Sequence, residues 1–160
     1  MATPDRTTIK AAILALITKL SANLVADPPK ATKPFRSVRV GRVGLTEFPR
    51  PFLAVALTES KVIGVTDDDK LFEVGVTLQL VTDVSAADAH DALLDMVGAV
   101  EDYFDSIVDT GVIEGAEGFD DRVWSYSYPP TTAGARVASA AATQRFVVKV
   151  ERQQHRVPAS

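Results

Sequence analysis

The chain has 160 residues, of which 46% are hydrophobic and 24% charged, a composition typical of one folded domain with its own core. Its formal net charge of -4 argues against nonspecific binding of nucleic acid to the outer surface, which needs clustered lysine and arginine. The absence of cysteine excludes disulfides, thiolate nucleophiles and cysteine-based metal sites, and it is compatible with a reducing compartment.

The longest apolar-rich run is Ala11 to Leu20, which is too short to cross a hydrocarbon layer about 30 Å thick. This run does not have the pattern of a signal peptide either, because Lys19 and Asn23 follow its apolar part at amphipathic spacing. We therefore expect no membrane span, and synthesis and residence in the cytoplasm.

The N-terminal part predicts one helix followed by strands. Thr3 followed by Pro4 is typical of a helix start, and the helix should end before Asp27 because two prolines follow. Between them the apolar stripe consists of Ile9, Ile13, Leu16, Ile17, Leu20 and Leu24. Phe35 to Val43 predicts a strand broken near its glycines.

The central part predicts a hairpin that runs directly into a helix. Phe52 to Leu57 is a nearly continuous apolar run, which favours a buried strand that Lys61 to Val65 continues across a bend. Thr66 to Lys70 is a turn signal, and Leu71 to Leu80 then alternates apolar and polar residues as a strand does. Ser85 and Asp88 resemble a capping box. The helix that begins there carries a period-3.6 apolar face and should end before Gly111.

The last third predicts two strands separated by a loop. Val123 to Tyr128 alternates, whereas Thr131 to Ala142 is too weakly apolar to pack and predicts a mobile loop. Thr143 to Arg152 is the last strand, with Phe146 among its core-facing residues. The fold class is therefore α+β, with two helices and a mostly antiparallel sheet of four to five strands. Residues 1–152 form one domain and 153–160 a polar tail.

The candidate metal ligands have simpler interpretations. Asp67, Asp68 and Asp69 could present oxygen ligands to a hard cation, but they lack the spacing and the closing glutamate of an EF-hand loop, so a solvated turn is favoured. His90 and His155 lack the paired spacing of a zinc site and are expected at the surface. We expect no metal site.

No catalytic or cofactor pattern stands out either. The glycines form no phosphate-binding loop, and no serine occupies a nucleophile elbow. The acidic side of the second helix is most simply its solvated face, and it carries Asp88, Asp91, Asp95, Glu101 and Asp105. Trp124, Tyr126 and Tyr128 could stack on bases or sugars, although aromatic residues that alternate along a strand more often pack on a sheet. We therefore expect no catalytic residue and no cofactor, and predict that the protein is not an enzyme.

The layout of the chain resembles the tail terminator, or tail completion, proteins of long-tailed bacteriophages, including the minor tail protein U type. The resemblance covers residues 5 to 152, and two segments carry it. They are Leu71 to Leu80, which runs into the second helix, and Arg145 to Val150 near the end. The resemblance implies that both helices lie on one face of the sheet.

The resemblance also implies a function and partners. Proteins of this family form a hexameric ring in the virion, at the junction of tail and head, after assembly in the host cytoplasm. The ring caps the tail tube, ends its polymerisation and joins head completion or stopper proteins, while DNA passes through the lumen without specific binding. An acidic lumen would not retain the genome.

The candidate interface segments are the hairpin tip from Lys61 to Lys70 and the loop from Pro129 to Ala142, because long irregular segments in compact domains are commonly functional or disordered. The residues selected are Lys61, Asp67, Asp68, Asp69, Lys70, Pro129, Pro130 and Arg136. Two other classes of protein stay open. One is a different head-tail connector, a stopper or adaptor. The other is a small α+β ligand-binding or enzymatic domain, which would need a pocket of convergent polar groups that the sequence does not display.

Overall fold

The computed structural model describes residues 8–41, 43–44, 48–83, 88–108, 116–117, 122–128 and 137–151. The elements, in chain order, are α1 (Ile9–Leu24), β1 (Ser37–Val40), β2 (Phe52–Val65), β3 (Asp69–Asp83), α2 (Ala89–Val108), β4 (Ala116–Glu117), β5 (Trp124–Ser127) and β6 (Val137–Glu151). The predicted α+β class, with two helices and a mostly antiparallel sheet, is confirmed.

Helix α1 starts later than the sequence predicts. Thr8 is its N-cap, and the Thr8 hydroxyl accepts a hydrogen bond from the backbone N–H of Ala11 at 3.0 Å. The expected cap at Thr3 is therefore wrong, and Thr3 and Pro4 lie outside the described residues. The helix ends at Leu24, before the prolines, as predicted.

The sheet is built around β3. Its strand order is β1-β2-β3-β6-β4, with β5 also paired to β6, so the two-residue β4 extends the sheet beyond the predicted number of strands. Strand β1 runs parallel to β2, whereas all the other pairings are antiparallel. Strand β3 pairs with β6 along its whole length, from Asp69 opposite Glu151 to Asp83 opposite Val137.

Strand β6 corrects the prediction of a loop from Thr131 to Ala142. Residues 137–142 belong to β6, and Ala138, Ala140 and Ala142 are buried. Ala140 and Ala142 lie directly opposite Tyr126 and Trp124 of β5. A small side chain facing a large aromatic one fills a cross-strand pair well, so this weakly apolar segment does pack.

One face of the sheet carries the main core. In β3 its buried residues are Val74, Val76, Leu78 and Leu80, and they form one cluster with Leu16 and Leu20 of α1 and with Leu93, Val100 and Phe104 of α2. Both helices thus bury side chains in the same cluster as this core face, which supports their expected placement on one side.

The other face of the sheet has a second small apolar cluster at one end, formed by Phe52, Ala54 and Val81. Farther along it carries small and polar side chains, including Thr77 and Thr143, which are directly paired. The sheet therefore has one core face and one predominantly polar face.

Candidate interaction surface

The hairpin between β2 and β3 closes as the turn signal predicts. The backbone N–H of Thr66 donates to the carbonyl of Asp69 at 2.8 Å, and the N–H of Asp69 donates to the hydroxyl of Thr66 at 3.0 Å. This geometry leaves Asp67 and Asp68 exposed at the tip. The prediction of a solvated acidic turn fits this arrangement.

The predicted interface residues of the hairpin are placed as follows. Asp69 forms an ion pair with Lys149 at 3.3 Å, Lys61 is exposed opposite Glu73, and Lys70 is exposed opposite Val65. Pro129, Pro130 and Arg136 lie outside the described residues, as does His155. The expectation of an irregular segment here is wrong, because β2 extends to Val65 and β3 begins at Asp69. Of the five charged residues predicted in the hairpin, four are exposed, and the fifth, Asp69, is half-buried and ion-paired.

A ladder of charges crosses the polar face beside this rim. Arg145 pairs with Glu59 and lies 3.3 Å from Glu73, so one guanidinium joins β2, β3 and β6. Gly75 lies between Glu59 and Arg145 in the register, and a Cβ there would come within 2.9 Å of the Glu59 side chain. The glycine leaves room for this ion pair.

The outer half of β2 is a free sheet edge. Strand β1 pairs only with Phe52 to Val55, and no other strand among the described residues pairs with β2 on that side from Ala56 to Val65. Ten residues of strand extend about 33 Å. Such an edge presents unpaired backbone N–H and C=O groups to another chain.

The same half of β2 exposes apolar side chains, which we call the apolar strip and define as Leu57, Val62 and Val65. They are 49%, 45% and 55% exposed. Their partners on β3 are Val76, Phe72 and Lys70, which alternate on the core face, so the strip continues the core beyond the helices. The charged residues of this hairpin were predicted from the sequence, whereas the strip was not, because the register shifts at Thr58 and Ile63 break the period-2 spacing of its residues.

A groove of about 780 Å³ lies between α2 and the segment that follows α1, and we call it the α2 groove. Its apolar lining comes from Leu24, Pro29, Ala31, Pro34, Pro51, Ala92, Met96 and Ala99. The polar residues that line it are Asn23, Lys30, Thr32, Asp95, Asp102 and Tyr103. No sequence pattern indicated this groove, because the proline-rich wall and the helix come from distant parts of the chain.

Tyr103 is the unusual residue of the α2 groove. Its side chain is buried, and its hydroxyl has no hydrogen-bond partner among the described residues. Burial raises the pKa of Tyr103, partly offset by the neighbouring Asn23 side chain, so the hydroxyl stays protonated near neutral pH. The amide of Asn23 itself donates to the carbonyl of Lys19 at 2.7 Å.

A buried polar cluster joins α2, β5 and β6. Arg122 donates to both carboxylate oxygens of Glu101, at 2.7 and 2.6 Å, and also to the side-chain oxygen of Gln144. Trp124 donates to Glu101 at 2.7 Å, and the Arg122 guanidinium lies 4.4 Å from the centre of the Phe104 ring. These hydrogen bonds pair the polar groups of the cluster with one another and link the three elements, which gives the cluster a structural role.

The acidic face predicted for α2 therefore needs one correction, since Glu101 is half-buried and holds Arg122. Its spacing contained the signal: Glu101 follows Val97 by four residues and precedes Phe104 by three, which places it beside the apolar stripe. Asp91, Asp95 and Asp105 are exposed as expected.

The aromatic residues of β5 divide into two environments. Trp124 packs against the core, as sheet packing predicts. Tyr126 and Tyr128 are exposed and stack on each other with ring centres 6.5 Å apart, and exposed His90 stacks on Tyr128 at 6.4 Å. Because these rings stack on one another, less of their aromatic surface is available to stack on a base or a sugar.

Within the described part of the chain, no three histidine, cysteine or acidic side chains lie close enough to hold a metal ion. None of the described helices is long and apolar enough to span a membrane. No model of a known protein family matches the chain, and no curated protein matches it significantly.

Proposed function

We propose that this protein is a structural virion protein that forms a ring, caps a phage tail tube and joins it to head completion proteins. The proposal starts from the layout of helices and strands that resembles tail terminators. The observation that carries it is the free edge of β2 together with the apolar strip.

These two features support self-association for a physical reason. An exposed edge with apolar side chains is a hazard for a protein that stays monomeric, since it invites pairing with other chains. The register shifts next to Thr58 and Ile63, together with Lys61, distort and charge this edge. These register shifts and the lysine disfavour pairing of the edge with an arbitrary strand, so they favour a partner whose shape matches the distorted edge.

The polar face supports the passage of DNA through a ring. It carries small and polar side chains and charges of both signs, and its cations Arg145 and Lys149 are ion-paired with Glu59, Glu73 and Asp69. A wall of this kind gives few phosphate contacts, so DNA would not be retained. We place this face toward the lumen and the helices outside.

A second candidate function is a small ligand-binding domain, which the α2 groove favours because it combines an apolar lining with a few polar groups. The edge of β2 and the apolar strip equally support a stopper or adaptor, which would also form a ring but would contact different proteins. Neither alternative requires catalysis, and we propose that the protein has no enzymatic activity.

Native mass spectrometry of the full chain tests the ring directly. We expect a hexamer at micromolar concentration; a dodecamer would favour an adaptor, and a monomer carrying a metabolite would favour the ligand-binding domain. Leu57→Asp combined with Val62→Asp should weaken the assembly at least tenfold, because each charge would have to be buried at the interface.

Leu14→Asp is the matched control, because Leu14 on α1 is also 49% exposed and lies far from β2 in the sequence and on a different element. All variants should unfold at the temperature of the unmodified protein. A ring that survives the double change on β2 but dissociates with Leu14→Asp would show that the assembly surface is assigned to the wrong element. A second assay adds the protein to polymerising tail tube protein, which should give shorter tubes.

A further inference from the structure

The α2 groove combines three chemical features in one place. Its floor is a stripe on α2 at helical spacing, made by Ala92, Met96, Ala99 and Tyr103. Asp95 and Asp102 lie beside this stripe, both exposed, seven residues or about 10 Å apart along the helix. The opposite wall is rich in proline and carries Lys30, so the groove has a net negative charge.

The buried end of the groove needs a hydrogen-bond partner. Tyr103 is only 8% exposed, and its hydroxyl has no partner among the described residues. An unpaired buried hydroxyl is costly, and a backbone carbonyl from a bound segment would satisfy it. The groove is thus suited to an extended peptide that carries positive charges.

We propose that the α2 groove binds residues 152–158 of a second copy of this chain, with Arg152 and Arg156 paired to the two carboxylates of the rim. The sequence of this segment is Arg-Gln-Gln-His-Arg-Val-Pro. In an extended chain the two arginines are four residues apart, about 13 Å, close to the separation of Asp95 and Asp102. Val157 and Pro158 supply small apolar groups for the floor of the groove.

The occupant comes from a second copy because the segment of the same chain does not reach the whole groove. Glu151, which precedes the segment, pairs with Asp69 at the hairpin end of the sheet. The Pro51 end of the groove adjoins Phe52, which is level with Ser139, twelve residues or about 40 Å along β6 from Glu151. Seven residues extend at most about 25 Å.

This contact is asymmetric, since one copy gives the segment and the other gives the groove. It is also separate from the edge of β2, so it stands whether or not the copies close into a ring. Repeated around a closed assembly, it would link each copy to the next.

The absence of cysteine allows a direct test with single-cysteine variants of the full chain. Protein carrying Ala99→Cys is mixed with protein carrying Val157→Cys, and disulfide formation between them is followed in oxidised glutathione. Leu94→Cys is the matched control for the groove variant, because Leu94 is on the same helix, is exposed and does not line the groove. We expect the Ala99 mixture to cross-link at least tenfold faster than the Leu94 mixture.

Equal rates in the two mixtures would overturn the proposal. So would an intramolecular disulfide in the diluted double variant, because it would place the segment in the groove of its own chain. The rates are also measured in the background of Leu57→Asp with Val62→Asp. A difference that persists there supports the groove contact even if the proposed ring is wrong.

Two further variants test the recognition chemistry. Asp95→Asn with Asp102→Asn should slow the cross-linking about tenfold, and an unchanged rate would overturn the charge pairing. Tyr103→Phe should slow it severalfold while leaving the unfolding temperature equal or higher, because it removes a hydroxyl that has no hydrogen-bond partner among the described residues. A purely structural role for Tyr103 would instead lower the unfolding temperature.

Discussion

Arg122 and Arg145 show how burial decides what an ion pair contributes. Each arginine contacts carboxylates, but the side chain of Arg122 is 3% exposed, whereas that of Arg145 is 56% exposed. A buried charge has lost its hydration and destabilises the fold unless its partners compensate for that loss, whereas an exposed charge is still hydrated without them. Arg122 therefore holds α2, β5 and β6 together, and Arg145 is a surface feature of the polar face.

Replacing each arginine by alanine should separate these two roles. Arg122→Ala should lower the free energy of unfolding by about 3 kcal/mol, because it leaves the buried Gln144 oxygen without this donor and removes the packing on Phe104. Arg145→Ala should lower it by less than about 1 kcal/mol. Urea unfolding measures both, and losses of equal size would contradict the structural role of the cluster.

Glu101 makes part of the stability depend on pH. The hydrogen bond from Arg122 is the largest influence on its pKa and, with the bond from Trp124, outweighs the opposing effect of burial, so the pKa lies below the ordinary value of 4.5. Because the pKa is lower in the folded protein, the ionised carboxylate contributes its full stabilisation at pH values above the ordinary pKa. This contribution is lost as the pH falls through the pKa of the folded state.

The Glu101→Gln variant tests this linkage. The difference in unfolding free energy between the unmodified protein and the variant should be constant above the ordinary pKa of 4.5 and should shrink below it. Urea titrations over a range of pH values measure the difference. If the difference stayed constant into acid, Glu101 would not be held ionised by Arg122.

At the scale of elements, α2 depends on its apolar face. Leu93 and Phe104 are fully buried in the cluster shared with the core face of the sheet. Leu93→Asp or Phe104→Asp should therefore prevent folding, since burying an unpaired charge costs several kcal/mol. Asp105→Asn is the control, because Asp105 follows Phe104 in the sequence but is exposed, so this change should have little effect. Circular dichroism during heating distinguishes the two results.

The elements that the sequence predicted correctly are those with a strong period and clear end signals. The strand that contains Leu71 to Leu80, the turn before it and the proline stop after α1 are examples. The start of α1 was predicted wrongly because Thr3 and Thr8 are both acceptable caps, so the local capping signal does not distinguish them. The first part of β6 was missed because alanine has low intrinsic strand preference, and its large cross-strand partners determine its state.

At the scale of the molecule, the candidate surfaces differed in how far the sequence could predict them. The charged hairpin tip follows from local turn chemistry, so Lys61 to Lys70 could be selected without a structure. The free edge of β2 depends on the short, parallel β1, and the α2 groove depends on residues far apart in the chain. Contacts of that kind are properties of the topology and have no local sequence signal.

Backbone pairing should also divide the sheet into regions of different local stability. In dilute protein, the backbone amides of residues 56–65 that point away from β3 should exchange hydrogen quickly, whereas those of β3 near Val76 and Leu78 should exchange slowly, because both sides of β3 are paired. At concentrations where the ring forms, residues 56–65 should become at least tenfold more protected. Mass spectrometry after deuterium labelling measures this, with α1 as an internal control. Unchanged exchange in the assembled protein would exclude this edge from the interface.

The central position of β3 has a consequence for the order of folding. Its partner β2 is adjacent in the chain, whereas β6 pairs with it from as far as Asp69 to Glu151. Local pairs form quickly, and distant pairs must first close a long loop. During synthesis, the hairpin and α2 therefore emerge while one edge of β3 is still bare. The chain remains vulnerable to wrong pairing until residues 137–151 have been made.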